Sequence, residues 1–246
     1  MKLDIVRTIV AGLMIAAAVS SPPACAALQK PSPAEILSAT AERGKQLIAA
    51  MRDYTYYSEV TIETLSLADT ITGKYYRFSQ ISFDRAGNRL ERVLENSSTL
   101  PKDVNIGATT ASNLTRVYPF IITPETLNEY DLSYVGRERI DELDTFVFDV
   151  KPKIKMPDPD KSPDRYLKGR VWIDDRDLCV VKVAGEALPE QSGHRTPKFE
   201  TYFQNYDSFW FPAYTSADDS IRVGRYSTRV SVNVRFTGYK KVGPRG

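Results

Sequence analysis

From Gly136 to the C-terminus the chain reads as one strand after another, with aromatic and β-branched residues on both faces of many of them. A sheet that is apolar on two sides must cover both, and this constrains the fold more than any motif. The clearest stretch has Val230, Val232, Val234 and Phe236 alternating with Arg229, Ser231, Asn233 and Arg235. Leu132 to Ile140 and Thr145 to Lys151 predict a hairpin across Asp141 to Asp144. Lys168 to Asp174 and Leu178 to Gly185 predict another, as do Lys198 to Tyr206 and Phe209 to Thr215. No long helical crossover separates these strands, so the sheet is expected to be antiparallel.

Upstream, Ser32, Pro33, Ala34 and Glu35 spell a capping box with proline at the first helical position. Ile36, Ala39, Leu47, Met51 and Tyr54 follow at roughly helical spacing, which predicts an amphipathic helix ending near Asp53. Tyr56, Ser58, Val60 and Ile62 alternate with polar residues as a half-buried strand. Tyr75 to Asp84 is a second strand, whose change of apolar face near Ser79 suggests a bulge, and Arg89 to Asn96 returns as a third. Two short helices are expected at Thr109 to Tyr118 and Pro124 to Tyr130, the latter capped by Thr123, with Phe120, Ile121 and Ile122 between them as a small apolar cluster. The proline-containing stretch Pro152 to Tyr166 cannot be a strand and is expected to be an exposed loop or a lid.

Residues 1–26 have the features of a secretory signal peptide. Lys2 and Arg7 precede the apolar run Thr8 to Val19, and Ala24, Cys25 and Ala26 form a small-residue cleavage site. The run is too short for a permanent membrane span. Residues 27–246 then form one exported, periplasmic domain. Cys25 leaves open an alternative, an outer-membrane lipoprotein lipidated at that cysteine. Cleavage leaves Cys179 without a partner, so no intramolecular disulfide can form and the core alone must stabilise the fold. The formal net charge of +2 comes from interspersed acids and bases, which gives no nucleic-acid signature.

The usual catalytic equipment is scarce. His194 is the single histidine, in a polar loop, and no nucleophile elbow accompanies it. Asp158, Asp160 and Ser162 imitate the start of a calcium loop, but Pro163 stands where glycine is needed and Gly169 where a bidentate glutamate is needed. One histidine and one mature cysteine cannot close a zinc site. Asp174, Asp175 and Asp177 suit a hairpin turn better than an acid–base pair. Cys179, between Leu178 and Val180, reads as a small buried hydrophobe. No catalytic residue, metal or cofactor is therefore expected.

The aromatics remain. They make up 11% of the chain and cluster in strands. Too little helix is foreseen to cover both faces of such a sheet, so part of one face is expected to line a cavity. The candidate lining is Val60, Ile62, Phe78, Phe146, Phe148, Val150, Trp172, Phe203 and Trp210. Phe148→Asp is expected to weaken capture of an apolar ligand, and His194→Ala to have no effect.

The order of these segments resembles the superfamily of bacterial lipoprotein-localisation factors, which includes LolA, LolB and RseB. The resemblance is carried by the capped helix, by Tyr56 to Ile62 and Phe78 to Arg92, and by DTFVFDVKP (Asp144 to Pro152). GRVWIDDRDLCVVKVAG (Gly169 to Gly185), FETYFQNY (Phe199 to Tyr206) and WFPAY (Trp210 to Tyr214) complete it. It implies an α+β fold: a strongly curved antiparallel sheet, a half-open β-barrel of ten or eleven strands, with an N-terminal helix and short helices over its concave face. It further implies a monomeric, non-catalytic periplasmic carrier whose partner is a lipid or an acylated lipoprotein. A cell-envelope sensor or scaffold that binds another protein, and an exported hydrolase with an unfamiliar site, stay open as alternatives.

Overall fold

Ten strands form a single antiparallel sheet in the computed structural model, which describes residues 31–101, 113–190, 197–223 and 226–242. The helix α1 (Pro33–Met51) begins with the foreseen capping box, in which the Glu35 amide donates to Ser32 Oγ at 3.3 Å and the Ser32 amide donates to Glu35 Oε2 at 2.7 Å. Its buried side differs from the foreseen stripe. Ile36, Thr40, Ala41, Gly44 and Leu47 face inward, and Tyr54 belongs to the next strand.

The strands are β1 (Tyr54–Leu65), β2 (Ile71–Phe83), β3 (Arg89–Ser98), β4 (Tyr130–Ile140), β5 (Leu143–Pro152), β6 (Tyr166–Asp174), β7 (Val180–Leu188), β8 (Phe199–Tyr206), β9 (Phe209–Val223) and β10 (Tyr226–Lys241). Their order in the sheet is β3-β2-β1-β10-β9-β8-β7-β6-β5-β4. The first and last strands thus pair at an inner seam, and β3 and β4, consecutive in sequence, are the two free edges. The sheet is open, a half-barrel, as the resemblance implied.

Several boundaries move. The β4–β5 turn needs only Asp141 and Glu142, because Asp141 takes φ 50° and closes the hairpin in two residues. β9 and β10 run well past the clean alternation, to Val223 and back from Tyr226. Cys179 lies just before β7, outside the strand. The irregularity foreseen at Ser79 is present, but the extra residue is on the partner. Phe78 pairs Glu95 and Ser79 pairs Val93, so Leu94 of β3 bulges while β2 keeps its register with β1 through Ser79.

The connection from β3 to β4 crosses the inner face. Its described part contains a helical turn (Asn113–Val117), then Tyr118 to Thr123, then α2 (Pro124–Glu129), where Thr123 caps the helix as foreseen. Residues 109–112 of the helix expected from Thr109 to Tyr118 lie outside the described residues. This strap is core, not surface: Val117, Tyr118, Phe120 and Ile122 are buried with α1 against β1, β5, β6, β7 and β10.

Candidate functional site

Side-chain parity along the strands decides what faces α1. Val60 and Ile62 of β1, Phe146, Phe148 and Val150 of β5, and Phe203 of β8 all join the main core on the α1 side. Phe148 is fully buried, edge-on to Tyr134 at 5.4 Å. Phe148→Asp would bury an unpaired carboxylate, so it reports on folding before it reports on binding.

Phe78 and Trp172 stand on the other face. Tyr75, Ser79 and Ile81 take the inner side of β2, so Phe78 points outward and stacks on Tyr57 at 5.3 Å. Val171 and Ile173 point inward, so Trp172 between them points outward. There its Nε1 donates to Glu138 Oε2 at 2.8 Å, and the Lys182 ammonium sits 4.9 Å from its ring. Trp210 is half-buried, with Nε1 donating to Asp177 Oδ2 at 2.9 Å.

The middle of the inner face is therefore filled by the protein's own side chains. Among the described residues, two cavities lie along α1. One cavity of about 170 Å³ is walled by Thr40, Arg43, Gly44, Gln46 and Leu47 of α1, by Ile121 and Ile122 of the strap, and by Asp177, Cys179, Val180, Phe203, Ser208, Phe209 and Trp210. A larger one of about 330 Å³ lies near the helix C-terminus. Its walls include Ile48, Met51, Tyr56, Phe83, Pro119, Ile121, Phe236 and Tyr239. Ile121 lines both.

The polar groups nearby are muted by burial. The Cys179 thiol is pushed up to about 11, mainly by burial. Burial also raises the Tyr239 phenol well above its ordinary value, and its hydroxyl donates to the Pro212 carbonyl at 2.7 Å. Thr40 Oγ1 is buried at the cavity wall with no hydrogen-bond partner. The sequence reading missed Thr40 and Gly44, because polar and small residues interrupt an apolar stripe even where they make the closest contacts.

The candidate acids are occupied with structure. Asp174 Oδ2 accepts from the amides of Arg176 and Asp177 at 3.1 and 2.7 Å, which closes the β6–β7 turn. Asp175 pairs with Arg137, and Asp158 with Lys161 at 2.9 Å. Among the described residues no group of three or more His, Cys, Asp or Glu side chains is placed to hold a metal ion. His194 lies outside the described residues. The Pro152 to Tyr166 loop is folded around Arg165, which is 2% exposed. Its guanidinium donates to the carbonyls of Ser162 and Asp164 at 2.9 and 2.8 Å.

No protein-family model matches the chain, and no curated protein does. Among solved structures, it is similar to a DUF1329 family protein from Desulfovibrio piger (13% identity, TM-score 0.43), with 83% of this chain and 95% of that one covered. It is also similar to a LolA superfamily protein from Nitrosomonas europaea (13% identity, TM-score 0.39, covering 84% and 95%). A third is the MucA/MucB complex of Pseudomonas aeruginosa (10% identity, TM-score 0.24, covering 83% and 99%).

Proposed function

We propose that this protein is an exported, non-catalytic binding protein that carries a hydrophobic ligand, a lipid or an acylated polypeptide, between α1 and the sheet in the periplasm. The observation that carries this reading is the pair of cavities along α1, the larger of them mainly apolar, that share the wall residue Ile121. Each acyl methylene buried there contributes about 0.8 kcal/mol, so aliphatic and aromatic walls suffice without a cofactor. Release follows from movement of α1 away from the strap.

Native mass spectrometry of the protein lacking residues 1–26, made by export and given no lipid, tests the reading. Discrete added masses that dissociate as lipid or acylated species are expected. Ile48 is the variant of choice, because it is 40% exposed at the rim of the larger cavity and its replacement spares the core. Undiminished lipid capture by folded Ile48→Asp protein would remove the ligand from this site.

A second reading, an envelope sensor or scaffold that binds another protein, is favoured by the filled middle of the inner face and by the edge strand β3. That strand is exposed throughout and presents Leu90, Val93 and Leu94 at 44–45% exposure. A lipid-free mass together with a co-purifying protein would select it.

A further inference from the structure

The larger cavity is not uniformly apolar. Its buried floor is Tyr56 and Phe236, with Tyr239 partly buried beside them. Two guanidinium groups, Arg52 and Arg89, also line it, and both reach solvent. Arg52 is the C-cap of α1 and has no ion-pair partner among the described residues. Its position is defined closely. A Cβ on Gly87, in the β2–β3 turn, would lie 2.6 Å from Arg52 Nε, so the side chain rests directly on the hairpin that carries Arg89.

Arg89 opens β3 opposite Phe83, on the inner face. It bonds Glu91 at 3.0 Å, and Arg77 bonds the same carboxylate at 2.9 Å. Arg77 Nε is buried with no acceptor. One carboxylate thus serves two guanidinium groups, and Arg52 adds a third positive charge. Of the residues that line this cavity two are basic and none is acidic, so this end of the half-barrel offers an aromatic floor beside two guanidinium groups, the complement of a chain with an anionic head.

We propose that the cavity selects a single-chain amphiphile with a net anionic phosphate head, its acyl chain on the Tyr56–Phe236 floor and its phosphate between Arg52 and Arg89. This rests on the carrier reading above and names its ligand class. Arginine suits the role because its planar fork binds phosphate in two places at once and never loses its charge at physiological pH.

Calorimetric titration below the micelle concentration compares palmitoyl lysophosphatidylglycerol, palmitoyl lysophosphatidylcholine and inorganic phosphate. The two lysolipids share a chain and differ in net head charge. The anionic one is expected to bind at least about tenfold more tightly, the scale of one hydrogen bond to a charged group, and to lose that margin as salt is raised. Arg52→Gln, which breaks no ion pair, is expected to weaken the anionic lysolipid more than the zwitterionic one and so to erase most of the margin, while Arg52→Lys keeps part of it. Equal binding of the two lysolipids by the unmodified protein overturns the head-group assignment and leaves the carrier reading standing. Binding of neither overturns both. Inorganic phosphate binding as tightly as the anionic lysolipid overturns the role given to the chain.

Discussion

Gly44 sits in the middle of α1, where glycine is the poorest helix former apart from proline, and replacing it with alanine should gain about 1 kcal/mol from propensity alone. The structure reverses that expectation. A Cβ at Gly44 would lie 1.9 Å from the carbonyl oxygen of Ile122 and 3.0 Å from Ile121 Cγ2. The obstacle at 1.9 Å is backbone, so no side-chain rotation relieves it. Either α1 or the strap must retreat by roughly 1 Å or more to restore an ordinary contact. Overpacking of this kind costs about 1–3 kcal/mol, and here both elements are anchored, α1 through Ile36 and Leu47 and the strap through Phe120 and Ile122. Because the obstacle is backbone, the cost belongs to the upper part of that range, about 2–3 kcal/mol, and after the gain of about 1 kcal/mol the net expectation for Gly44→Ala is a loss of about 1–2 kcal/mol, or roughly 2–8 °C in Tm for a domain of this size. Thermal and urea unfolding measure it. Ala49→Gly, on the exposed side of the same helix, calibrates the propensity contribution and should lose about 1 kcal/mol. If Gly44→Ala unfolds at or above the temperature of the unmodified protein, the close seating of α1 on the strap is refuted, and with it the wall that the two cavities share.

Three further outcomes are expected. Thr40→Val keeps the shape of a buried side chain and removes a hydroxyl without a partner, so it should raise stability by up to about 1 kcal/mol in urea unfolding; a clear loss would mean the hydroxyl has a partner in solution. Cys179 is half-buried and raised to about 11, mainly by burial, so iodoacetamide at pH 8 should modify it more slowly than it modifies the urea-unfolded chain; equal rates would contradict that raised value. The phenols of Tyr118 and Tyr130 are each raised to about 12, chiefly by burial. Their folded values lie above the unfolded value near 10, so the stability they contribute is complete below pH 10 and is lost as pH rises toward 12. Denaturant midpoints should be flat with respect to these groups below pH 10 and fall between pH 10 and 12, less steeply in Tyr118→Phe protein.

Local chemistry was legible from the residues wherever it determines the outcome. The Ser32–Glu35 box, the Thr123 cap and the alternation of Val230 to Phe236 each appear in the fold as written in the chain. Parity was legible only where a strand is apolar on one side. Phe78 and Trp172 are large and apolar, yet each lies between two inward residues and therefore faces out. An aromatic on the outer face finds its own partners, Tyr57 in one case and Lys182 with Glu138 in the other. The site was least legible where it depends on tertiary approach. Nothing local to Gly44 or Arg52 reveals that one meets the strap and the other rests on the β2–β3 turn, because those neighbours are distant in sequence.

The pairing of β1 with β10 also governs the order in which the molecule can assemble. It runs from Tyr54 opposite Lys241 to Leu65 opposite Arg229, so the seam joins the beginning and the end of the described chain. Every other neighbour in the sheet is a sequence neighbour and can zip as it emerges. A chain delivered from its N-terminus can form the β1–β2–β3 meander early, and the β4 to β10 meander later, with β1 left as a bare edge in the meantime. The last strand made is the one that closes that edge, and loop-closure entropy makes this long-range step the slowest. Until it happens, the apolar side of β1 is open to any hydrophobic chain nearby. Folding of such a chain is therefore a race between its own β10 and a foreign strand.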